Sequence, residues 1–236
     1  MSWCRSAVWF VKGLREYTRT SYESASKHFN PADVEVDVAG RSFLVTGANS
    51  GIGKATAKEI ARRGTYILTT ALLPLLEKEA DARVITVSSG GMLVQKLNLS
   101  DLQSENGTFD GTMVYAQNKR QQVVLTEQWA KACRNIHFSV MHPGWADTPA
   151  VRSSMPDFYQ KMKNTLRTEA QGADTVVWLA VFEATKLLSG LFFQDRQPVP
   201  THLPLASTHS PPEDEEKLME VLEELSQKFK STSPGT

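Results

Sequence analysis

Residues 42–53 read Ser-Phe-Leu-Val-Thr-Gly-Ala-Asn-Ser-Gly-Ile-Gly. The apolar run at 42–46 predicts a buried strand, and the glycines after it lead into a helix that is expected to end at Gly64. Glycine lets a phosphate group approach the backbone closely, and the N-terminus of a helix favours negative charge. The strand, turn and helix therefore predict a dinucleotide-binding unit of an α/β fold; a tight turn that binds nothing is the alternative.

A serine, a tyrosine and a lysine further along the chain predict acid–base chemistry. Tyr115 and Lys119 are four residues apart in a predicted helix, so they share one face. A neighbouring ammonium favours the phenolate and lowers the pKa of a tyrosine, which suits it to general acid or base catalysis. Ser89 follows a predicted strand that begins at Arg83, and its hydroxyl can hold a substrate carbonyl oxygen. A Tyr-x-x-x-Lys pair standing alone more often lies on a solvated helix face, but the glycine-rich turn and Ser89 favour catalysis here.

These motifs resemble those of the short-chain dehydrogenase/reductase family over residues 40–205. The resemblance implies a Rossmann-like, doubly wound parallel sheet and hydride transfer at a carbonyl or alcohol group with NADP or NAD. It implies Ser89, Tyr115 and Lys119 as catalytic residues, with Tyr115 as the general acid or base. The implied cofactor-binding residues are Gly47, Ser50, Gly51, Ile52 and Gly53 in the glycine-rich turn, and Pro143, Gly144 and Thr148 in a later His-Pro-Gly-Trp-Ala-Asp-Thr motif. The N-terminal sequence and residues 87–97 are most similar to the member-12 branch of this family.

The chain between the glycine-rich turn and the catalytic serine is too short for the family pattern. Ser89 follows Gly53 by 36 positions. The family places three further strand–helix units there, so roughly 75–90 residues are missing at about 25–30 residues per unit. The position of the family's catalytic asparagine holds Ala61, and residues 67–72 contain no acid or base that would select between NAD and NADP. We therefore expect a truncated sheet of about four strands, in which the first strand pairs with the strand at Arg83 and one edge is exposed.

Two functional hypotheses follow from the motifs and from the missing segment. The family function predicts an NAD(P)-dependent oxidoreductase, whose activity we expect to be impaired or lost in this shortened form. The alternative is a non-catalytic, splice-type variant that acts through interactions or at a membrane surface. Cofactor binding together with cooperative unfolding would favour the first hypothesis over the second.

Two appendages flank the predicted domain at residues 40–205. Residues 1–39 are basic and contain tryptophan and phenylalanine, which predicts an amphipathic segment. Through residues 1–20 it would lie on a membrane surface; the alternative is that it packs on the domain itself. Residues 206–236 predict a linker and a C-terminal amphipathic helix.

Composition indicates which partners and locations to expect. The 26 basic residues balance 26 acidic residues, so nucleic acid is not an expected partner, and the five histidines lack the spacing of metal ligands. Two distant cysteines and the lack of an apolar run of roughly 18 residues predict an intracellular protein, cytoplasmic or peripheral on an organelle membrane. The family resemblance implies homo-oligomers that pair through the tyrosine-bearing helix. A small lipophilic carbonyl or alcohol substrate is predicted from four residues of the substrate lid implied between Pro149 and Leu166: Met155, Phe158, Tyr159 and Met162.

Overall fold

The structure, a computed structural model, describes residues 2–35, 56–106, 108–183 and 186–232. Outside these ranges lie the predicted first strand and the five predicted cofactor-binding residues of the glycine-rich turn: Gly47, Ser50, Gly51, Ile52 and Gly53. None of the helices that the structure describes is long and apolar enough to cross a membrane.

A four-stranded sheet lies at the centre of the described chain. Its spatial order is β1 (Arg83–Val87), β2 (His137–Met141), β3 (Leu191–Gln194) and β4 (Gln197–Pro198). The first three strands are parallel, and β4 is antiparallel to β3. Parallel neighbours need a crossover connection, and helices lie between them in the sequence. The predicted truncated α/β sheet of about four strands is thus confirmed. Within the described ranges no strand pairs with the outer edge of β1.

Helices precede, connect and follow the strands of this sheet in the sequence. They are α1 (Ser2–Glu16), α2 (Arg19–Ser26), α3 (Thr56–Leu76), α4 (Gly111–Ala132), α5 (Pro149–Ser154), α6 (Pro156–Met162), α7 (Glu169–Val181) and α8 (Pro212–Thr232), with short 3₁₀ helices at Pro31–Asp33 and Gly90–Val94. The predicted helix end at Gly64 is wrong, because α3 runs through this glycine to Leu76. One glycine inside a helix costs only about 1 kcal/mol, so it does not by itself end the helix.

A two-residue turn joins β3 to β4 without a glycine. Asp195 and Arg196 have φ angles of 50° and 58°, in the left-handed region that two-residue hairpins require. Such angles cost a non-glycine residue of order 1–3 kcal/mol. Each turn residue forms an ion pair that compensates: Arg196 with Asp174, at 2.6 Å, and Asp195 with Arg167, at 2.7 Å.

The C-terminal helix α8 is part of the main core. Leu218 and Leu222 are 0% and 4% exposed, and they cluster with Trp129 of α4 and Phe138 of β2. Polar contacts align the helices further, since the Tyr66 hydroxyl of α3 donates to a Glu223 carboxylate oxygen of α8 at 3.0 Å. The amphipathic tail predicted from the sequence therefore packs on the body of the protein.

Arg167 attaches the N-terminal helices to the sheet. Its side chain is 1% exposed and donates two hydrogen bonds to the Asp195 carboxylate, at 2.7 and 2.9 Å. The same guanidinium also reaches backbone carbonyl oxygens from distant parts of the chain: Glu16 at 2.8 Å, Thr18 at 3.2 Å and Pro143 at 3.3 Å. One buried charge thus joins the α1–α2 junction, the loop after β2 and the β3–β4 turn.

Replacing Arg167 with Met is expected to lower the free energy of unfolding by about 3–5 kcal/mol, because the Asp195 carboxylate would stay buried without its partner. The matched control is Arg152→Met. The ion pair of Arg152 with Asp147 lies at the surface, with side-chain exposures of 56% and 27%, so little change is expected there. Urea unfolding followed by tryptophan fluorescence measures both variants. Equal losses in the two would contradict this role of Arg167.

Candidate active site

Two serines follow β1, and their hydroxyl groups make different hydrogen bonds. Ser88 is buried; its hydroxyl donates to the Lys119 carbonyl oxygen at 2.8 Å and so holds β1 against α4. Ser89 caps the 3₁₀ helix Gly90–Val94, and its hydroxyl oxygen accepts the Gly91 N–H at 3.1 Å. The predicted catalytic serine thus lies in a defined turn at the C-terminal end of β1.

Tyr115 lies in the second turn of α4, and its hydroxyl is near Ser89. The helix start is fixed by the Asp110 carboxylate, which accepts the N–H groups of Thr112 and Met113 at 2.9 and 3.2 Å. The Tyr115 side chain is half exposed, at 51%. Burial around the hydroxyl raises the pKa of Tyr115, and a hydrogen bond with the Ser89 side chain lowers it. The structure therefore brings the predicted serine and tyrosine together.

Lys119 lies one helical turn after Tyr115 on the same side of α4. Its ammonium nitrogen is 5.5 Å from the centre of the Tyr115 ring. The ammonium donates to the Val87 carbonyl oxygen and to Gln122 Oε1, both at 3.0 Å. Burial lowers the pKa of Lys119 to about 8. An ammonium has three donors, so two of them orient the group and a third suits a ribose hydroxyl.

Arg120, next to the predicted catalytic lysine, is a buried residue that sequence analysis missed. It is 2% exposed, and its guanidinium donates to three carbonyl oxygens: Gln95 at 3.0 Å, Met92 at 3.1 Å and Thr201 at 2.7 Å. Burial lowers the pKa of Arg120 to about 10, against the opposing effect of two carboxylates in its surroundings. Arg120 therefore ties the segment after Ser89 to α4. In the sequence Arg120 follows Lys119 directly, and two adjacent basic residues do not predict that one of them is buried.

The loop after β2 holds the other predicted cofactor-binding residues. Because β1 and β2 are parallel neighbours, with Val87 paired to Met141, this loop and Ser89 both lie at the C-terminal end of the strands. Gly144 has a φ of 77°, and a Cβ there would overlap the Arg167 side chain. The Thr148 hydroxyl accepts the Val151 N–H at 3.3 Å and caps α5.

The polar groups at this C-terminal end of the strands are of the kinds that could bind the nicotinamide half of a dinucleotide. They comprise an ammonium that uses two donors within the described chain, a half-exposed phenol, a serine hydroxyl and the loop of Pro143, Gly144 and Thr148. These are donors and acceptors for a ribose and a carboxamide. In the part of the chain that the structure describes, no three His, Cys, Asp or Glu residues are grouped to hold a metal ion.

Comparison with known proteins places the chain in a family. No protein-family model matches it. Dehydrogenase/reductase SDR family member 12 of Bos taurus is 51% identical over 313 aligned residues, which cover 96% of this chain and 99% of the bovine protein. The Homo sapiens protein of the same name is 50% identical, with 98% of this chain and 100% of the human protein covered. Retinol dehydrogenase 12 of Homo sapiens is 32% identical over 56% of this chain and 43% of that protein.

The alignment lengths also bear on the short segment. The bovine alignment spans 313 positions and this chain has 236 residues, so at least 77 aligned positions have no residue here. That the gap follows Gly53 stays a prediction from the motifs. Even so, about 50% identity over nearly the whole of this chain and of both relatives is enough to assign the family. The chain belongs to the short-chain dehydrogenase/reductase family, whose members are oxidoreductases.

Proposed function

We propose that this chain is an NAD(P)-dependent oxidoreductase that reduces a small lipophilic carbonyl compound, at a rate lowered by the shortened cofactor-binding half. The observation that carries the proposal is the grouping of Ser89, Tyr115 and Lys119 at the C-terminal end of the parallel strands. There the Ser89 side chain is near enough to lower the Tyr115 pKa by hydrogen bonding, and the Lys119 ammonium is 5.5 Å from the centre of the Tyr115 ring. The lid residue Met155, 40% exposed, supports an apolar substrate.

The three side chains divide the work of reduction between them. A reduced nicotinamide held by Lys119 and the loop of Pro143, Gly144 and Thr148 would supply the hydride. Ser89 donates a hydrogen bond to the substrate carbonyl oxygen, and Tyr115 transfers its phenolic proton to that oxygen as the carbon is reduced. The Lys119 ammonium stabilises the phenolate that remains. Burial raises the pKa of Tyr115, so the phenol is protonated at neutral pH, as its role as the acid in reduction requires.

The competing function is that of a non-catalytic variant. It is favoured by Ala61 at the position of the family's asparagine and by the aligned positions that this chain lacks. The first experiment is binding of NADPH and NADH to the purified chain, measured by energy transfer from tryptophan, together with a melting curve. Micromolar binding and a ligand-raised melting temperature support the oxidoreductase. No binding and no cooperative melt support the non-catalytic variant.

Tyr115→Phe is expected to lower turnover at least about a hundredfold while cofactor binding is kept, because only the transferable proton is removed. The matched control is Tyr66→Phe, which removes a hydroxyl bonded to Glu223 on α8 and should leave turnover unchanged. Oxidation of NADPH with a panel of aldehydes and ketones measures both variants. Full turnover in Tyr115→Phe would exclude the proposed role of this tyrosine.

The pH dependence of reduction tests Lys119. Its lowered pKa of about 8 means that the ammonium is present below that pH and is lost above it. We therefore expect the reduction rate to fall as pH rises through about 8. In Lys119→Arg the fall should move to higher pH, because a guanidinium keeps its charge. An identical pH profile in both proteins would show that another group controls it.

Peripheral contact with an anionic membrane is a second candidate role, carried by the outer face of α1. Trp9 packs inward, 5.8 Å from Trp145 between ring centres, so it does not serve as the membrane anchor. The exposed side instead presents Val8, Val11 and Leu14, at 51%, 54% and 44% exposure, on a helix that also carries basic residues. Such a helix suits a bilayer interface.

The protein is expected to co-float with vesicles that contain phosphatidylserine, and less with neutral vesicles. The double change Val8→Ser and Val11→Ser should abolish flotation, because it removes apolar area from the outer face of α1. Leu75→Ser, at a residue of α3 that is 59% exposed, is the matched control and should float like the parent protein. Failure of the parent protein to float with anionic vesicles would remove this role.

A further inference from the structure

The junction between α1 and α2 lies directly behind the turn that carries the catalytic serine. Tyr17, at this junction, is fully buried. Its ring centre is 4.4 Å from that of His142 at an interplanar angle of 82°, and 5.7 Å from that of Trp145. Both of these residues belong to the segment after β2. The N-terminal segment therefore contacts the loop that follows β2.

Gly90 connects Tyr17 to Ser89. It follows Ser89 directly in the chain, and a Cβ built on it would lie 2.9 Å from two carbons of the Tyr17 ring and 2.9 Å from His142 Nε2. Real Cβ atoms essentially never approach other atoms this closely. The backbone of the serine turn thus rests on the tyrosine and histidine rings without a gap, and only glycine fits at this position.

Ring packing, rather than hydrogen bonding, forms this contact. Among the described residues, the Tyr17 hydroxyl and both His142 ring nitrogens are buried without a hydrogen-bond partner. Burial raises the pKa of Tyr17 and lowers that of His142 to about 3. Both rings are therefore neutral at physiological pH, so the support behind Ser89 adds no charge to the site.

The rest of the molecule holds Tyr17 in place. The Trp145 N–H donates to the Tyr17 carbonyl oxygen at 2.8 Å, and Arg167 donates to the carbonyl oxygens of Glu16 and Thr18 on either side. Three backbone carbonyls in succession are thus fixed from the body of the domain. A ring fixed in this way can hold the turn in front of it.

We propose that Tyr17 is a positioning residue of the catalytic site: by packing against Gly90 it fixes the turn that presents Ser89 to Tyr115. The junction of the N-terminal helices then helps to set the geometry of the active site. The proposal rests on the function proposed above, in which Ser89 and Tyr115 act together. It concerns the geometry of that pair and can be tested without turnover.

The test measures the Ser89–Tyr115 hydrogen bond through the pKa of Tyr115, by NMR titration of the full chain labelled with ¹³C at the tyrosine rings. Ser89→Ala removes the hydrogen bond and sets the reference shift, which is upward because that bond lowers the pKa. Tyr17→Leu is expected to raise the Tyr115 pKa to the same extent. Tyr17→Phe should leave it unchanged, because the Tyr17 hydroxyl has no partner in the described chain.

Amide hydrogen exchange at neutral pH gives a second measurement. The Gly91 N–H donates to the Ser89 hydroxyl and the Met92 N–H to the Ser89 carbonyl, both at 3.1 Å. In Tyr17→Leu these two amides should exchange about tenfold faster or more, because the turn has lost its support. The Gly190 amide, bonded to the Phe138 carbonyl at 2.7 Å, is the internal reference and should not change.

The outcomes separate this proposal from the proposed function. A folded Tyr17→Leu protein with an unchanged Tyr115 pKa and unchanged exchange at Gly91 overturns the positioning role, whatever the turnover. If Tyr17→Leu does not fold, Tyr17→Met removes the same ring while filling more of its volume, and it must give the same two effects. If the parent chain binds no cofactor but the pKa coupling is present, the proposed function fails and the positioning geometry stands.

Discussion

The buried guanidinium of Arg167 is the constraint on which the rest of the structure depends. Arginine keeps its proton at any physiological pH, so a charge sealed inside a protein must be matched where it lies. Asp195 matches it, and the backbone carbonyls of the α1–α2 junction and of Pro143 take its other donors. Three segments that are remote in sequence are thereby fixed to one point, and the N-terminal helices are attached to the end of the sheet where the predicted catalytic residues lie.

This arrangement explains how a shortened domain can keep the predicted catalytic residues together. Ser89, Tyr115 and the loop of Gly144 come from β1, α4 and the segment after β2, all C-terminal to the predicted gap. Their mutual positions are set by the β1–β2 pairing and by bonds such as that from Ser88 to the Lys119 carbonyl oxygen. Burial raises the pKa of Tyr115 and lowers that of Lys119, so the same desolvation disfavours the charged form of each.

The strand at Arg83 and helix α4 could be predicted because their apolar runs and periodicity are local. The serine, tyrosine and lysine could be predicted because a motif ties residue types to a spacing. Contacts between residues far apart in sequence follow no such motif. No pattern near Arg167 predicts its ion pair with Asp195, and none near Tyr17 predicts its contact with Gly90. Local rules also misled at Gly64, where the helix continues. They gave no sign of the Asp195–Arg196 turn, which lacks the usual glycine.

The position of α8 has a consequence for how the protein is made. Leu218 and Leu222 close the core over Trp129 and Phe138, yet Leu218 is synthesised 80 residues after Phe138. Until then, the apolar surfaces of α3 and α4 have no cover from this helix, and nascent chains with such exposed surface are prone to aggregate. Folding of this domain therefore completes only after α8 has been synthesised, and the demand for chaperones should be greatest before then.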